Sequence, residues 1–238
     1  MTRRRWIADE VSDSRAALTG AHADHLVRVL RARIGQEFDI VADAVVRRGR
    51  VVTIGDKRVE FELGEGIPAE TASIQLTLLL AIFKFDRMEW AIEKCTELGV
   101  TRIVPVIAHR TDPHLASGSV KRVERWRRLA LQASEQSRRT TPPEITDPIK
   151  FREALTHPAN LKIALSEAEE QIQLLEVARC SEAGEILLTI GPEGGWTKDE
   201  LELFQKNGWL AASLGPTILR AETAAIAATA ITMSALSR

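Results

Sequence analysis

What most restricts the folds open to this chain is an arrangement that occurs twice near its carboxyl end: a short apolar run, a glycine-bearing loop and a helix start. The first run, residues 185–190, is rich in Ile and Leu and reads as a buried strand. Gly191-Pro192-Glu193-Gly194-Gly195 follows it, and Thr197 with Asp199 and Glu200 marks a capped helix start carrying carboxylates in its first turn. The second unit has a short strand over 209–214, the loop Gly215-Pro216-Thr217-Ile218-Leu219-Arg220, and an alanine-rich helix expected from Thr223 to about Leu236. Glycines let a backbone approach a ligand closely, and loops at the carboxyl ends of neighbouring parallel strands border one crevice. Arg220 and Glu222 are the charged residues placed to act there.

The preceding stretch alternates in the same way. Residues 74–82 are almost continuously apolar, which suits a central strand covered on both faces. Met88, Ala91, Ile92, Cys95 and Leu98 recur at helical spacing up to Gly99; after them 101–107 reads as a strand, 121–137 as a helix and 161–165 as a strand. This alternation predicts an α/β domain with a mainly parallel sheet. Residues 1–70 differ. The segments 37–42, 45–54 and 58–63 are rich in Val, Ile and Phe and punctuated by glycines, the pattern of a small barrel built from hairpins. Ahead of them, 25–31 is expected to be one helix with its apolar side on the barrel and Arg28 and Arg31 outward. Arg3, Arg4, Arg5, Arg28 and Arg31 suit phosphate contacts, with Trp6 placed to stack on a base and His25 a structural residue. A linker-like stretch at 66–72 separates the two domains, 1–70 and 73–238.

Composition narrows the function. The chain has 238 residues, 45% of them hydrophobic, enough to bury a core. Cys95 and Cys180 form no CxxC pair and the five histidines have no metal-ligand spacing, so no metal and a reducing, cytoplasmic setting are expected. The start is basic without an apolar signal-peptide core, and no run of about 18 uncharged apolar residues is present to span a membrane. The formal net charge of -1 hides a division: residues 84–139 carry 12 basic and 7 acidic groups, whereas 140–238 carry 8 and 14. A basic middle, including the helix Lys121-Arg122-Val123-Glu124-Arg125-Trp126-Arg127-Arg128, suits a local contact with a polyanion.

Gly191-Pro192-Glu193-Gly194-Gly195 together with Leu214-Gly215-Pro216-Thr217-Ile218-Leu219-Arg220-Ala221-Glu222-Thr223-Ala224 resembles the paired signature of the RsmE-type 16S ribosomal RNA (uracil-N3)-methyltransferases. The resemblance covers essentially the whole chain, including Arg4, His25-Leu26, Met88-Glu89, Glu93-Lys94, Arg110, and Glu135-Gln136-Ser137 with Arg139. It implies a PUA-like RNA-binding β-barrel over 1–70, then a SPOUT-type α/β domain over 73–238 whose carboxyl-terminal chain forms a trefoil knot, acting as a homodimer. It also implies S-adenosyl-L-methionine held by three loops: Leu165 with Ser166 and Glu167; Ile190, Gly191, Pro192, Glu193, Gly194 and Gly195; and Leu214, Gly215, Ile218, Leu219 and Arg220. Arg4, Arg31, Arg110, Glu135 and Arg139 are the implied contacts to 16S rRNA or the small ribosomal subunit.

Uracil N3 carries a weakly acidic proton, so its nucleophilicity rises if a base removes that proton or a cation stabilises the anion. Arg220 is expected to orient the base and stabilise charge, and Glu222 to act as base, loop-fixing partner or helix cap. Three positions depart from the family pattern: Phe85 in place of Gly, Thr217 in place of Arg, and Ala221 in place of Thr. Phe85 is expected to narrow the pocket or change the strand-exit turn, and Thr217 to remove one RNA or cofactor contact. Two other classes remain open at this level: a ribosome-assembly factor that has lost catalysis, and a nucleotide-dependent metabolic enzyme. The intact loops argue against the first and the amino-terminal arginines against the second.

Overall fold

The computed structural model describes residues 4–68, 74–180 and 184–236. Arg3 and most of the linker-like stretch, 69–72, lie outside them. The chain divides into two compact units, Met1–Thr71 with Ser134–Pro142, and Ala72–Ala133 with Pro143–Arg238.

The first unit contains β1 (Arg5–Ile7), β2 (Glu10–Ser12), β3 (Arg15–Thr19), α1 (Gly20–Asp24), a π-helical turn (His25–Val29), β4 (Glu37–Ala42), β5 (Val45–Gly55) and β6 (Arg58–Pro68). Its strands form one curled half-barrel in the order β1-β4-β5-β6-β3-β2, antiparallel except where β1 runs beside β4. Leu18, Leu26, Ile40, Val59 and Phe61 pack inside it around Trp6. Trp6 is only 1% exposed, so it is a core residue and not a stacking platform for a base. Its indole is too large to leave in water when β1 offers one inward position, and Arg4 covers it at 4.6 Å from the ring centroid. The expected single helix over 25–31 is also corrected. The helical part begins earlier, at Gly20, widens into the π-type turn, and ends where Arg31 adopts a left-handed φ of 54°. Of that turn only Leu26 is buried, while Val29 is 63% exposed.

The second unit begins with β7 (Gln75–Ala81), α2 (Phe85–Glu97), β8 (Arg102–Ile107), α3 (Pro113–Ser119) and α4 (Val123–Gln136), whose residues from Ser134 onward group with the first unit. It continues with β9 (Glu144–Ile145), β10 (Ile149–Lys150), α5 (Phe151–Ala154), β11 (Leu161–Leu165), α6 (Leu174–Arg179), β12 (Glu185–Ile190), α7 (Lys198–Lys206), β13 (Leu210–Ala212) and α8 (Ala221–Leu236). The sheet runs β10-β8-β7-β12-β11-β13, with β9 also on β8, and every pairing is parallel.

The apolar run of β7 does what period two requires of a doubly covered strand. Leu76, Leu78 and Leu80 face one core with Met88, Ile92 and Cys95 of α2 and Ala225 and Ala228 of α8. Leu79 and Ala81 face the other, with Phe151 and Phe204. Burial pushes the Cys95 thiol up to about 12, so it behaves as a small apolar group that receives the Thr229 hydroxyl. Gly99, at φ 106°, ends α2 in the left-handed conformation that a side chain resists. At the other end of the unit α8 starts at Ala221, because the Arg220 carbonyl already accepts the Ala224 amide at 2.8 Å.

Candidate active site

Three loops leave the carboxyl ends of β11, β12 and β13 and enclose a cavity of about 330 Å³. Leu165, Ile190, Gly191, Pro192, Glu193, Gly195, Leu214, Gly215, Ile218, Leu219 and Arg220, all singled out in the sequence, line it. Gly194 does not: a Cβ there would sit 3.2 Å from Cδ of Arg110, on the other side of the loop. The glycines have separate reasons. Gly195 has φ 68°, and a Cβ would come within 2.4 Å of Glu167 Oε1. At Gly191 the tight neighbour is the Trp196 indole, at 3.3 Å. The second loop is pinned locally, its Gly215 amide donating to Ser213 Oγ at 3.0 Å.

Beneath the cavity, Phe151, Trp196, Phe204 and Trp209 form a run of ring contacts at 5.0 to 5.7 Å. This packing fixes Trp196, whose Nε1 donates to the Leu165 carbonyl at 3.1 Å and ties the first loop to the glycine-rich one. Trp196 escaped the sequence reading; its place directly after two glycines before a helix cap was the available signal. The cap itself is a reciprocal one, with the Thr197 hydroxyl and the Glu200 carboxylate each meeting the other's backbone amide. Glu200, 4% exposed, uses its second oxygen to accept the His109 amide at 2.8 Å. Next to His109, the Arg110 guanidinium donates to the Gly194 carbonyl and, at 3.4 Å, to that of Trp196.

Arg87 is the cation on the cavity wall that the sequence did not assign. Its Nη1 donates to Glu193 Oε1 at 2.6 Å and its Nε lies 3.8 Å from Glu222 Oε1. Glu222 is 4% exposed in the first turn of α8, does not line the cavity, and has a buried Oε2 without a hydrogen-bond partner. The helix end favours a carboxylate there. Arg220 is exposed on the cavity wall, and among the described residues no carboxylate lies within ion-pair distance of it. Phe85 stays away from the cavity: its ring meets Trp126 at 6.1 Å and lies under the Arg122 guanidinium at 4.8 Å. Thr217 and Ala221 both line the cavity.

The remaining predicted contacts fall in the first unit. Glu135 is fully buried, ion-paired to Arg4, and accepts the Ile7 amide at 3.1 Å. His22 approaches it at 3.9 Å and bonds Asp9 at 3.2 Å. The Asp9 hydrogen bond, opposed by burial and helped by Glu135, holds the His22 pKa above its ordinary value. For Asp9, burial is outweighed by its bonds to His22 and the Thr19 amide, so its carboxyl sits below the usual range. Desolvation lowers the Arg139 pKa. Arg31 is exposed at the end of the π-type turn. The basic helix is less free than its composition suggests, since Arg125 is bidentate on Glu89 at 2.6 and 2.7 Å and Arg127 reaches Glu124 at 2.6 Å. Among the described residues there is no cluster of three potential metal ligands and no helix long and apolar enough to cross a membrane.

A parallel sheet with its cavity between loops at the strand ends is the arrangement of a ligand-binding α/β enzyme, and a family model described as an RNA methyltransferase domain matches residues 70–233. A ribosomal RNA small subunit methyltransferase E from Rickettsia conorii is 33% identical over 92% of this chain and 89% of its own. The crystal structure of a protein of that name from Neisseria gonorrhoeae, bound to S-adenosyl methionine, superposes with a TM-score of 0.87 at 31% identity, covering 98% of both chains. A putative methyltransferase from Legionella pneumophila in complex with the same cofactor gives 0.88 at 26% identity, over 99% of this chain and 98% of that one. The chain belongs to the ribosomal RNA small subunit methyltransferase E family.

Proposed function

We propose that this protein uses S-adenosyl-L-methionine to methylate N3 of a uridine in 16S ribosomal RNA. The observation that carries the reading is the three-loop cavity, which exposes backbone at Gly191, Gly195 and Gly215 and takes fourteen of its lining residues from the loops named by sequence. The residues present suit the cofactor. Leu165, Ile190, Leu214 and Leu219 offer apolar wall for an adenosine, while the Glu167 carboxylate beside Gly195 suits a cationic ligand. Bound there, S-adenosylmethionine supplies an electrophilic methyl group on its sulfonium.

The chain's own residues supply orientation and charge. Arg220, on the wall and, among the described residues, with no carboxylate at ion-pair distance, orients the uracil and stabilises the anion left when N3 gives its proton to water. Glu222 is turned toward Arg87 and not onto the cavity wall. We therefore assign it to fixing the Arg220 loop at the start of α8. Closing three loops on the ligand fixes the reactants in register, the proximity contribution.

The reading extends to a PUA-like RNA-binding domain over residues 1–70, a SPOUT-type trefoil knot within 73–238, and a homodimer. Support for the dimer comes from α8, whose first turn carries its one charged residue and which shares an open surface with Leu175 of α6 through Ala230 and Ile231. The direct test maps methylated nucleosides by mass spectrometry after incubating the protein with S-adenosylmethionine and small ribosomal subunits lacking the modification. The expected product is 3-methyluridine at one 16S position. A methyl group on another base or atom would overturn the assignment of N3, and no methyl group would overturn the enzymatic reading.

A further inference from the structure

We propose that Arg110 is a positioning residue that couples binding of an RNA phosphate to the shape of the cofactor cavity. The inference rests on the methyltransferase reading and deepens it. Arg110 is exposed and lines no part of the cavity, yet its guanidinium donates to the carbonyls of Gly194 and Trp196 in the glycine-rich loop. Carbonyls accept hydrogen bonds without cancelling charge. Among the described residues no carboxylate lies within ion-pair distance of Arg110, in contrast to Arg87, Arg125 and Arg127. Its cation therefore stays available to a phosphate while its N–H groups hold the loop.

The base on which Arg110 stands is fixed. Glu200 holds the His109 amide, and the Thr111 hydroxyl accepts the Ala108 amide at 3.0 Å. The side-chain stem lies over Gly194, where a Cβ would approach to 3.2 Å. From the loop the path continues inward, because Trp196 lines the cavity and donates to Leu165. A phosphate that draws the guanidinium into one position thereby settles two of the three cavity loops. By linkage, a filled cavity must strengthen the phosphate contact by the same factor.

The test is equilibrium dialysis of labelled S-adenosylmethionine against wild type, Arg110→Ala and Arg110→Lys, each alone and with saturating unmethylated small subunits. Wild type is expected to bind the cofactor several-fold more tightly with subunits. Arg110→Ala is expected to bind about tenfold more weakly when alone and to gain nothing from subunits. Lysine keeps the charge but not the forked donor, so Arg110→Lys should recover part of the subunit effect without the full affinity. In turnover, Arg110→Ala should raise KM for the cofactor while kcat at saturation stays within about threefold.

Equal cofactor affinities for wild type and Arg110→Ala, with and without subunits, would overturn the coupling. So would weaker subunit binding by Arg110→Ala with an unchanged cofactor affinity, which describes a plain phosphate contact. A wild-type protein that binds the cofactor without any subunit effect also overturns it. A wild-type protein that binds no cofactor at all instead removes the methyltransferase reading, and the coupling with it.

Discussion

The Glu135 cluster of the first unit and the three-loop cavity of the second place their charges in opposite ways. Around Glu135 a fully buried carboxylate receives a guanidinium and a backbone amide, with an imidazole close by, so its oxygens have partners within the unit. At the cavity, Arg220 is exposed and, among the described residues, no carboxylate lies within ion-pair distance of it. A charge buried with its partner holds a shape, whereas an exposed and unpaired one is available to meet a ligand. The contrast separates residues expected to govern stability from those expected to govern chemistry, although sequence alone grouped Glu135 and Arg4 with the functional set.

The sharpest way to break that separation is Arg220→Ala. It should lower kcat by about a hundredfold to a thousandfold, as loss of one charge-stabilising donor does elsewhere, and leave the thermal midpoint close to wild type. A fall of only a few-fold in the methylation rate would remove Arg220 from the chemistry. Glu135→Ala should do the reverse. Leaving Arg4 and the Ile7 amide without their acceptor is expected to cost roughly 2–4 kcal/mol of stability, read from denaturant midpoints, while the cofactor dissociation constant stays within about twofold.

Gly195→Ala tests the cavity wall itself. A Cβ at φ 68° faces Glu167 Oε1, the far end of a flexible side chain that can move aside, so the backbone strain dominates. The expected loss is about 1–2 kcal/mol, or roughly tenfold in cofactor affinity. The smallest effect sharpens the first region alone. His22 has a raised pKa, so its contribution is complete below about 6.5 and disappears as pH rises through the higher folded value; Asp9 has a lowered one, so its contribution is complete above about 4 and disappears as pH falls through the depressed folded value. Stability from this pair should therefore be greatest between those limits. His22→Gln should flatten the decline on the alkaline side by under about 1 kcal/mol, measured as urea midpoints from pH 5 to 9.

Much of the second unit was readable because its signals are local. The two loops follow apolar runs, and the doubly covered β7 shows itself as continuous Leu and Ile. What escaped was built across distance. Arg87 meets Glu193 and Arg110 meets Gly194 over sequence separations of 106 and 84 residues, which no periodicity registers. In the first unit β1 and β2 have three residues each, too short to display alternation, and β2 is exposed throughout. Trp6 misled for a related reason: arginines on its amino-terminal side suggested a surface, but a strand turns every second residue inward. The basic helix misled because composition counts charges without showing that Glu89 and Glu124 already occupy two of them.

The strand order has a consequence for the chain as it leaves the ribosome. β12 lies between β7 and β11, although more than half of the chain precedes it. During synthesis β7 can pair with β8 almost at once, but its other edge, with Leu76, Leu78 and Leu80 nearby, must wait for Glu185–Ile190 to emerge. Until then the nascent protein carries an open apolar sheet edge, the kind of surface that recruits chaperones or other copies of itself. Slower synthesis of the segment between Ile107 and Glu185 is therefore expected to lengthen the time for which that edge stays open.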